Sequence, residues 1–293
     1  MSTPGRVGVV VLTQGRRPAE LARALDSVAR QTGVETDVVV VGNGWDPVAA
    51  QAPLGPGVRS VFLPDNVGIP AGRNRGVGSV AGEYLLFLDD DAWLGSEDFL
   101  RRAIELFGSD PGIGLIQPRV VDPDTGTARH WIPRMRKGEA TESGNVFSCW
   151  EGAVVLPRDV FEAVGGWADP FFYAHEGIEL AWRVWDQGRR AWYAGDLVAN
   201  HPRVEQTRHA DYYRLNARNR VWLARRNLPI VVVPVYVGTW TCVQIVRWAR
   251  RPSILRAWFA GWQEGWRTDP GERRPIGWHT VIRMALAGRP PVV

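Results

Sequence analysis

Cysteine is nearly absent: the 293-residue chain holds only Cys149 and Cys242. Two thiols without metal-type spacing exclude a disulfide scaffold and a thiolate metal centre, and they suit a reducing cytoplasm. Lysine is scarcer still, since Lys137 is the single lysine among 35 basic residues. A phosphate site built on lysine has that one side chain to use, and it lies in a polar, loop-like stretch. The opening MSTPGRVGVVVLTQ has no basic segment followed by a long apolar one, so it reads as a first strand and not as a signal peptide. One charge-free run, Leu228–Val246, reaches nineteen residues, close to the ~20 of a membrane-spanning helix. Pro229, Pro234, Gly238, two threonines and Gln244 dilute it.

What is plentiful is tryptophan, with fifteen residues, and arginine, which is unevenly placed. Residues 203–293 carry sixteen arginines against five acids, a net +11, whereas residues 1–202 are net −7. An acidic body with a basic tail implies two surfaces with different partners. Arg247, Arg250, Arg251 and Arg256 are interleaved with Trp248, Trp258, Trp262 and Trp266, a composition suited to an anionic membrane surface. A packed helical hairpin and a true membrane span are the competing readings. Apolar residues of buried type fill the segment and no nucleic-acid recognition motif is present, so nucleic acid is not an expected partner.

Apolar runs alternate with helical patterns through the first part of the chain. Val7–Thr13, Asp37–Val41, Val58–Leu63, Tyr84–Leu88 and Ile113–Val121 read as strands, several without polar alternation and so covered on both faces. Pro18–Gln31, Ala71–Val80 and Ser96–Phe107 read as helices, the last with Ser96 as N-cap and Asp98 in its first turn. This order predicts an α/β fold, a mostly parallel sheet flanked by helices, whose ligands gather at the carboxyl ends of the strands. Residues 1–205 would form that domain and residues 206–293 a basic, Trp-rich helical extension.

The chemistry concentrates where Tyr84–Leu94 reads YLLFLDDDAWL. Adjacent like charges repel by ~1 kcal/mol or more per pair near a surface, so something positive should meet the three acids. Carboxylates at a strand end favour a divalent cation, Mg²⁺ or Mn²⁺, that shares its other positions with substrate phosphates. Side-chain alternation would turn Asp89 and Asp91 to the crevice and Asp90 away. A solvated acidic turn is the plain alternative. Two chemistries use such a site. In a phosphotransferase the first aspartate attacks phosphate, but that class wants a lysine partner and carries its acidic strand first, not fourth. In sugar transfer from a nucleotide-activated donor, the metal neutralises the leaving diphosphate.

Seven motifs in order, TQGRRP, VVVVGNG, PDNVGIPAGRNRG, LLFLDDDAWL, VGGW, HEGIELAWR and ANHP, resemble the family 2 glycosyltransferases of the GT-A fold. The likeness is nearest to their bacterial rhamnosyltransferase-like branch and covers about Gly8 to His201. It implies a D-x-D metal site in which Asp91 holds the cation, Asp89 lies near the ribose and the metal, and His201 approaches from across the crevice. Thr13, Gln14, Asn43, Asn66 and Asp90 would line the donor pocket, with Arg73 and Asn74 on its phosphates. Trp150, Glu151 and Trp167 would lie on the acceptor side, where aromatic faces stack on sugars. His130–Glu142 is a candidate loop closing over the donor.

Two departures stand out. Gly42 replaces an aspartate that commonly contacts the base or ribose, which leaves Asn43 as the polar reader. Gly177 replaces the second acid of an E-D pair, the usual base. Inversion at a sugar carbon needs a carboxylate to take the acceptor hydroxyl's proton. Glu176 and Glu179 share a helix face. Glu176 is favoured because it opens the helix, where an ionised carboxylate is stabilised; Glu179 has Arg183 one turn on.

The expected activity is inverting, metal-dependent hexosyl transfer in cell-wall or polysaccharide biosynthesis. The donor would be a nucleoside diphosphate sugar, such as dTDP-rhamnose or a UDP-sugar. The acceptor would be a glycan, lipid-linked or small-molecule hydroxyl, reached from the inner face of the cell membrane, by one chain or a homo-oligomer. The rival is a nucleotide-sugar-binding protein on the same scaffold that has lost its base.

Overall fold

In the computed structural model, which describes residues 5–133, 138–203 and 210–291, strand β1 (Arg6–Thr13) is the hub of a nine-stranded sheet. It pairs in parallel with β2 (Glu35–Asn43) and β4 (Tyr84–Asp89), and β2 carries β3 (Arg59–Leu63) outside it. Uninterrupted valines and leucines make this possible. Val10, Val39 and Phe87 enter the core on one face of the sheet, while Val9, Val40 and Leu88 enter the core on the other. A strand covered on both faces has no use for polar alternation.

Helices α1 (Pro18–Ala29) and α3 (Phe99–Ser109) cover the second face. Helix α2 (Ile69–Val77) lies against the first. Helix α3 begins later than the sequence implies. Ser96 does not cap it; its hydroxyl donates to Asp98 Oδ1 at 2.7 Å. The backbone carbonyls of Ser96 and Glu97 accept from Gln31 and Thr32, which holds these residues in a connection outside the helix.

After β5 (Trp93–Leu94) and β6 (Ile113–Val121), the chain forms β7 (Gly144–Val146) and then β8 (Ala153–Pro157). Strand β8 runs antiparallel to β4 with Leu88 opposite Ala153, so the residues just before β8 stand beside Asp89. Helices α4 (Arg158–Val164) and α5 (Glu176–Asp186) follow, and β9 (Arg190–Asn200) returns parallel to β6. The loop expected to close over the donor is pinned on both sides. Trp131 is buried, and Ala140 O accepts from the Tyr193 hydroxyl at 2.7 Å. Arg134–Lys137, at its middle, lie outside the described residues.

The extension folds as α6 (Ala210–Asn227), α7 (Val233–Trp248), α8 (Pro252–Arg267) and α9 (Trp278–Leu286). Val221, Leu223, Tyr236 and Met284 join the same apolar cluster as Phe87 and Trp182. The helices from residue 210 on therefore share a core with the sheet. Glycine lets α8 meet α6 closely, because a Cβ on Gly261 would fall 1.8 Å from the Arg214 carbonyl oxygen. Among the described residues no helix is long and apolar enough to cross a membrane.

Candidate active site

The carboxyl ends of β1, β2 and β4 meet in one crevice. Strand β4 ends at Asp89, and Asp90 and Asp91 form a turn. Strand alternation stops there, so Asp90 does not turn away. The Thr13 hydroxyl donates to Asp90 Oδ2 at 2.6 Å, and Arg17 Nη1 lies 3.7 Å from Asp90 Oδ1. Arg17 also donates to Asp91 Oδ2. Across the crevice, at the end of β9, His201 Nε2 is 3.3 Å from Asp91 Oδ1. Its backbone N–H donates to Val121 O at 2.9 Å, and its ring stands edge-on to Trp150 at 5.1 Å.

These contacts split the three acids electrically. Burial pushes the Asp90 carboxyl up to about 6, helped by the Asp89 and Asp91 charges and opposed by the Thr13 hydrogen bond and Arg17. Burial opposes ionisation of Asp91 too, yet the hydrogen bond and charge of His201, with Arg17, hold it below the usual carboxylate range. The groups that meet DDD are thus Arg17 and His201, joined on Asp89 by Arg73. Sequence reasoning missed Arg17 in TQGRRP; an arginine just before a helix that opens at a strand end is the signal that marks it.

Arg73 is 1% exposed. Its Nη2 donates to Asp89 Oδ1 at 2.7 Å and to Glu151 O at 2.9 Å, and its guanidinium lies 5.0 Å over the Trp167 ring. It fixes Asp89 from below and presents no face to a phosphate in the crevice. Asn74 likewise bonds away from the crevice, donating to Trp167 O at 2.8 Å and accepting from Trp167 N at 3.0 Å. Trp167, expected on the acceptor side, is 2% exposed and packs edge-on to Phe87 at 5.2 Å. A large ring beside a buried strand is worth more in the core than in water.

Asn43 is 2% exposed and ties the end of β2 to the loop before α2. It donates to Asn66 Oδ1 at 2.9 Å and to Gly68 O at 3.2 Å, and accepts from Val67 N at 2.9 Å. Its carboxamide is fully engaged within the fold. Gln14 is half-buried just past β1. The missing acid at position 42 has a steric cause: a Cβ on Gly42 would lie 2.0 Å from Trp45 O. Trp45 packs so tightly on Gly15 that a Cβ there would sit 2.2 Å from its ring.

Helix α5 is entered through strained backbone. Phe172, Ala174 and His175 all have positive φ, at 62°, 71° and 74°. His175 is buried and kept neutral by that burial and by the Arg220 charge. Glu176 follows, 3% exposed, with Oε2 lacking a partner among the described residues. Burial and the neighbouring Glu151 carboxylate raise its pKa, and burial raises that of Glu151. Glu151 Oε1 accepts from Gly177 N at 2.8 Å. Glu179 lies elsewhere. It is fully buried, and its Oε1 accepts from Arg183 at 2.7 Å, Arg226 at 3.0 Å and Asn227 at 3.3 Å. It ties α5 to α6 and has no free lone pair facing a substrate on that oxygen.

Residues 8–165, more than half of the chain, match the profile of glycosyl transferase family 2. The chain belongs to that family. Among curated relatives it is 27% identical over 184 residues to the O-antigen biosynthesis protein RfbC of Myxococcus xanthus, covering 55% of this chain and 14% of RfbC. It is 33% identical over 89 residues to the uncharacterized glycosyltransferase YwdF of Bacillus subtilis strain 168, covering 29% of this chain and 32% of YwdF. The chain thus spans less than a third of either relative. Among solved structures, GalNAc-T7 with UDP, GalNAc and Mn²⁺ superposes with a TM-score of 0.64 at 15% identity, over 93% of this chain and 53% of that one. The mannosyltransferase PcManGT of Pyrobaculum calidifontis, solved with GDP-Man and Mn²⁺, gives 0.59 at 16% identity, over 99% of this chain and 78% of that one. The likeness establishes the GT-A fold of this family 2 member.

Proposed function

We propose that the chain moves a sugar from a nucleoside diphosphate donor to an acceptor hydroxyl, with inversion and with a divalent cation. The observation that carries this is the meeting of Asp91 and His201 at the strand ends, with a pair of carboxylates at the head of α5. The residues fit such a cation. A carboxylate oxygen and an imidazole nitrogen 3.3 Å apart supply two ligands, and Mg²⁺ or Mn²⁺ takes the rest from diphosphate and water. Among the described residues no third acid, histidine or cysteine forms a metal-type group with them. When bound, the cation would offset charge on the leaving diphosphate.

The chain's own groups do the rest. Arg17 balances Asp90 and Asp91 and lies half-exposed at the crevice, within reach of a phosphate oxygen. Arg73 orients Asp89 toward the ribose. The nucleoside would lie by Thr13 and the Trp45 ring. The proton acceptor belongs to the Glu151–Glu176 pair, since Glu179 is fully buried where α5 meets α6, with Oε1 held by Arg183, Arg226 and Asn227. A glycan acceptor is supported by the name of the Myxococcus relative, an O-antigen biosynthesis protein.

Release of nucleoside diphosphate from a panel of UDP-, GDP- and dTDP-sugars, with and without Mn²⁺, tests the reading. Asp91→Asn should weaken Mn²⁺-dependent nucleotide binding and abolish turnover. A wild-type chain that binds a donor tightly yet never turns over with any acceptor would instead be the binding protein.

A further inference from the structure

We infer that the carboxylate missing from position 177 is supplied by Glu151, which acts as the base of the transfer proposed above. Gly177 has no room for a side chain. A Cβ there would lie 2.4 Å from Cys149 O and 2.4 Å from Glu151 Oε1, far inside contact distance. Its φ is not in the left-handed region, so the backbone conformation does not demand glycine; its two neighbours do. The Glu151 carboxylate stands where a side chain at 177 would begin. The acid has moved from the helix to the facing loop.

That loop is firmly held. Gly177 N–H donates to Glu151 Oε1 at 2.8 Å, and Cys149 N–H donates to Gly177 O at 3.3 Å. Arg73 grips the Glu151 carbonyl oxygen and Asp89 together. Consecutive residues then serve two sides of the crevice: Trp150 turns its ring to His201, and Glu151 turns to the head of α5. Oε1 is committed to the helix N-terminus by the Gly177 bond. Glu151 is half-buried, whereas Glu176 is 3% exposed. Of the pair, Glu151 is the one an acceptor can reach.

In the step, Glu151 Oε2 takes the acceptor hydroxyl proton as the acceptor oxygen bonds to the anomeric carbon. The bond from that carbon to the diphosphate oxygen breaks, and its electron pair leaves with the nucleoside diphosphate. Glu176 is a positioning residue. Kept protonated by burial beside a second carboxyl, it leaves Glu151 as the ionised member of the pair.

Wild type, Glu151→Gln and Glu176→Gln are compared as full chains, with a donor and acceptor that the wild type turns over. Glutamine at 151 can still accept from Gly177 N–H, so the loop is kept. The expected result is a ~10²–10⁴-fold loss of kcat in E151Q, the range for a removed general base, with donor KM and nucleotide affinity nearly unchanged. E151Q should also lose the acidic limb of the pH–kcat profile, which E176Q keeps with a smaller loss of rate. Unchanged kcat in E151Q with only a lower melting temperature makes Glu151 a helix cap and overturns the assignment, as does a larger kcat loss in E176Q. If the wild type releases no nucleotide from any donor, the transfer reading itself falls and takes the base with it.

Discussion

At the scale of residues, charge is settled by partners that sequence spacing does not display. Asp89, Asp90 and Asp91 receive Arg73, Arg17 and His201 from a helix, a helix entry and the end of β9. The DDD run and ANHP announced the acids and the histidine. Which arginine met which acid was illegible, because each pairing joins elements distant in the chain. The same holds for Glu176, whose carboxyl is pushed up to about 8 by burial and by Glu151, against 4.5 for the free group. The folded state binds this proton more tightly than the unfolded chain. Its contribution to stability is therefore full below about 4.5 and is lost as pH rises through about 8. Thermal melts should show the wild type losing more stability than Glu176→Gln between about pH 5 and about pH 9. Equal losses would mean that Glu176 ionises as freely folded as unfolded.

Elements were read best where burial alone decides them. Uninterrupted valine and leucine runs had no alternative to being covered on both faces, and β1, β2 and β4 lie where those runs lie. Ends were read less well, as the displaced start of α3 shows, since a cap is a contest among hydrogen-bond partners. Glu179 belongs to this scale. On its own helix it looked like a rival base with an i,i+4 arginine, yet α6 brings Arg226 and Asn227 to the same oxygen. Glu179→Ala strands two buried arginines and should cost about 3–5 kcal/mol in denaturant unfolding. A stable E179A with poor turnover would return Glu179 to the list of bases.

At the scale of the whole molecule, the basic tail is divided between core and surface. Tyr236 and Met284 are buried with the sheet, while Val231, Val235, Val246 and Leu286 remain 63%, 53%, 79% and 83% exposed. Arg247, Arg250 and Arg251 are exposed at the end of α7. Apolar groups flanked by arginines favour an anionic bilayer surface. Co-sedimentation should therefore show binding to vesicles containing anionic lipid that weakens with added salt, and equal binding to neutral vesicles would remove the electrostatic part of this proposal. The sequence by itself determined the α/β order and the run of three acids at a strand end, because buried strands and adjacent carboxylates are local facts of the chain, and its ordered motifs carried the likeness to family 2. Only the tertiary structure decided that the tail shares a core with the sheet, that Arg73 and Trp167 face inward while Asn74 bonds to the Trp167 backbone, and that a glutamate two residues before β8 stands against Gly177. Those outcomes depend on which surfaces close against each other, and closure is a property of the packed chain.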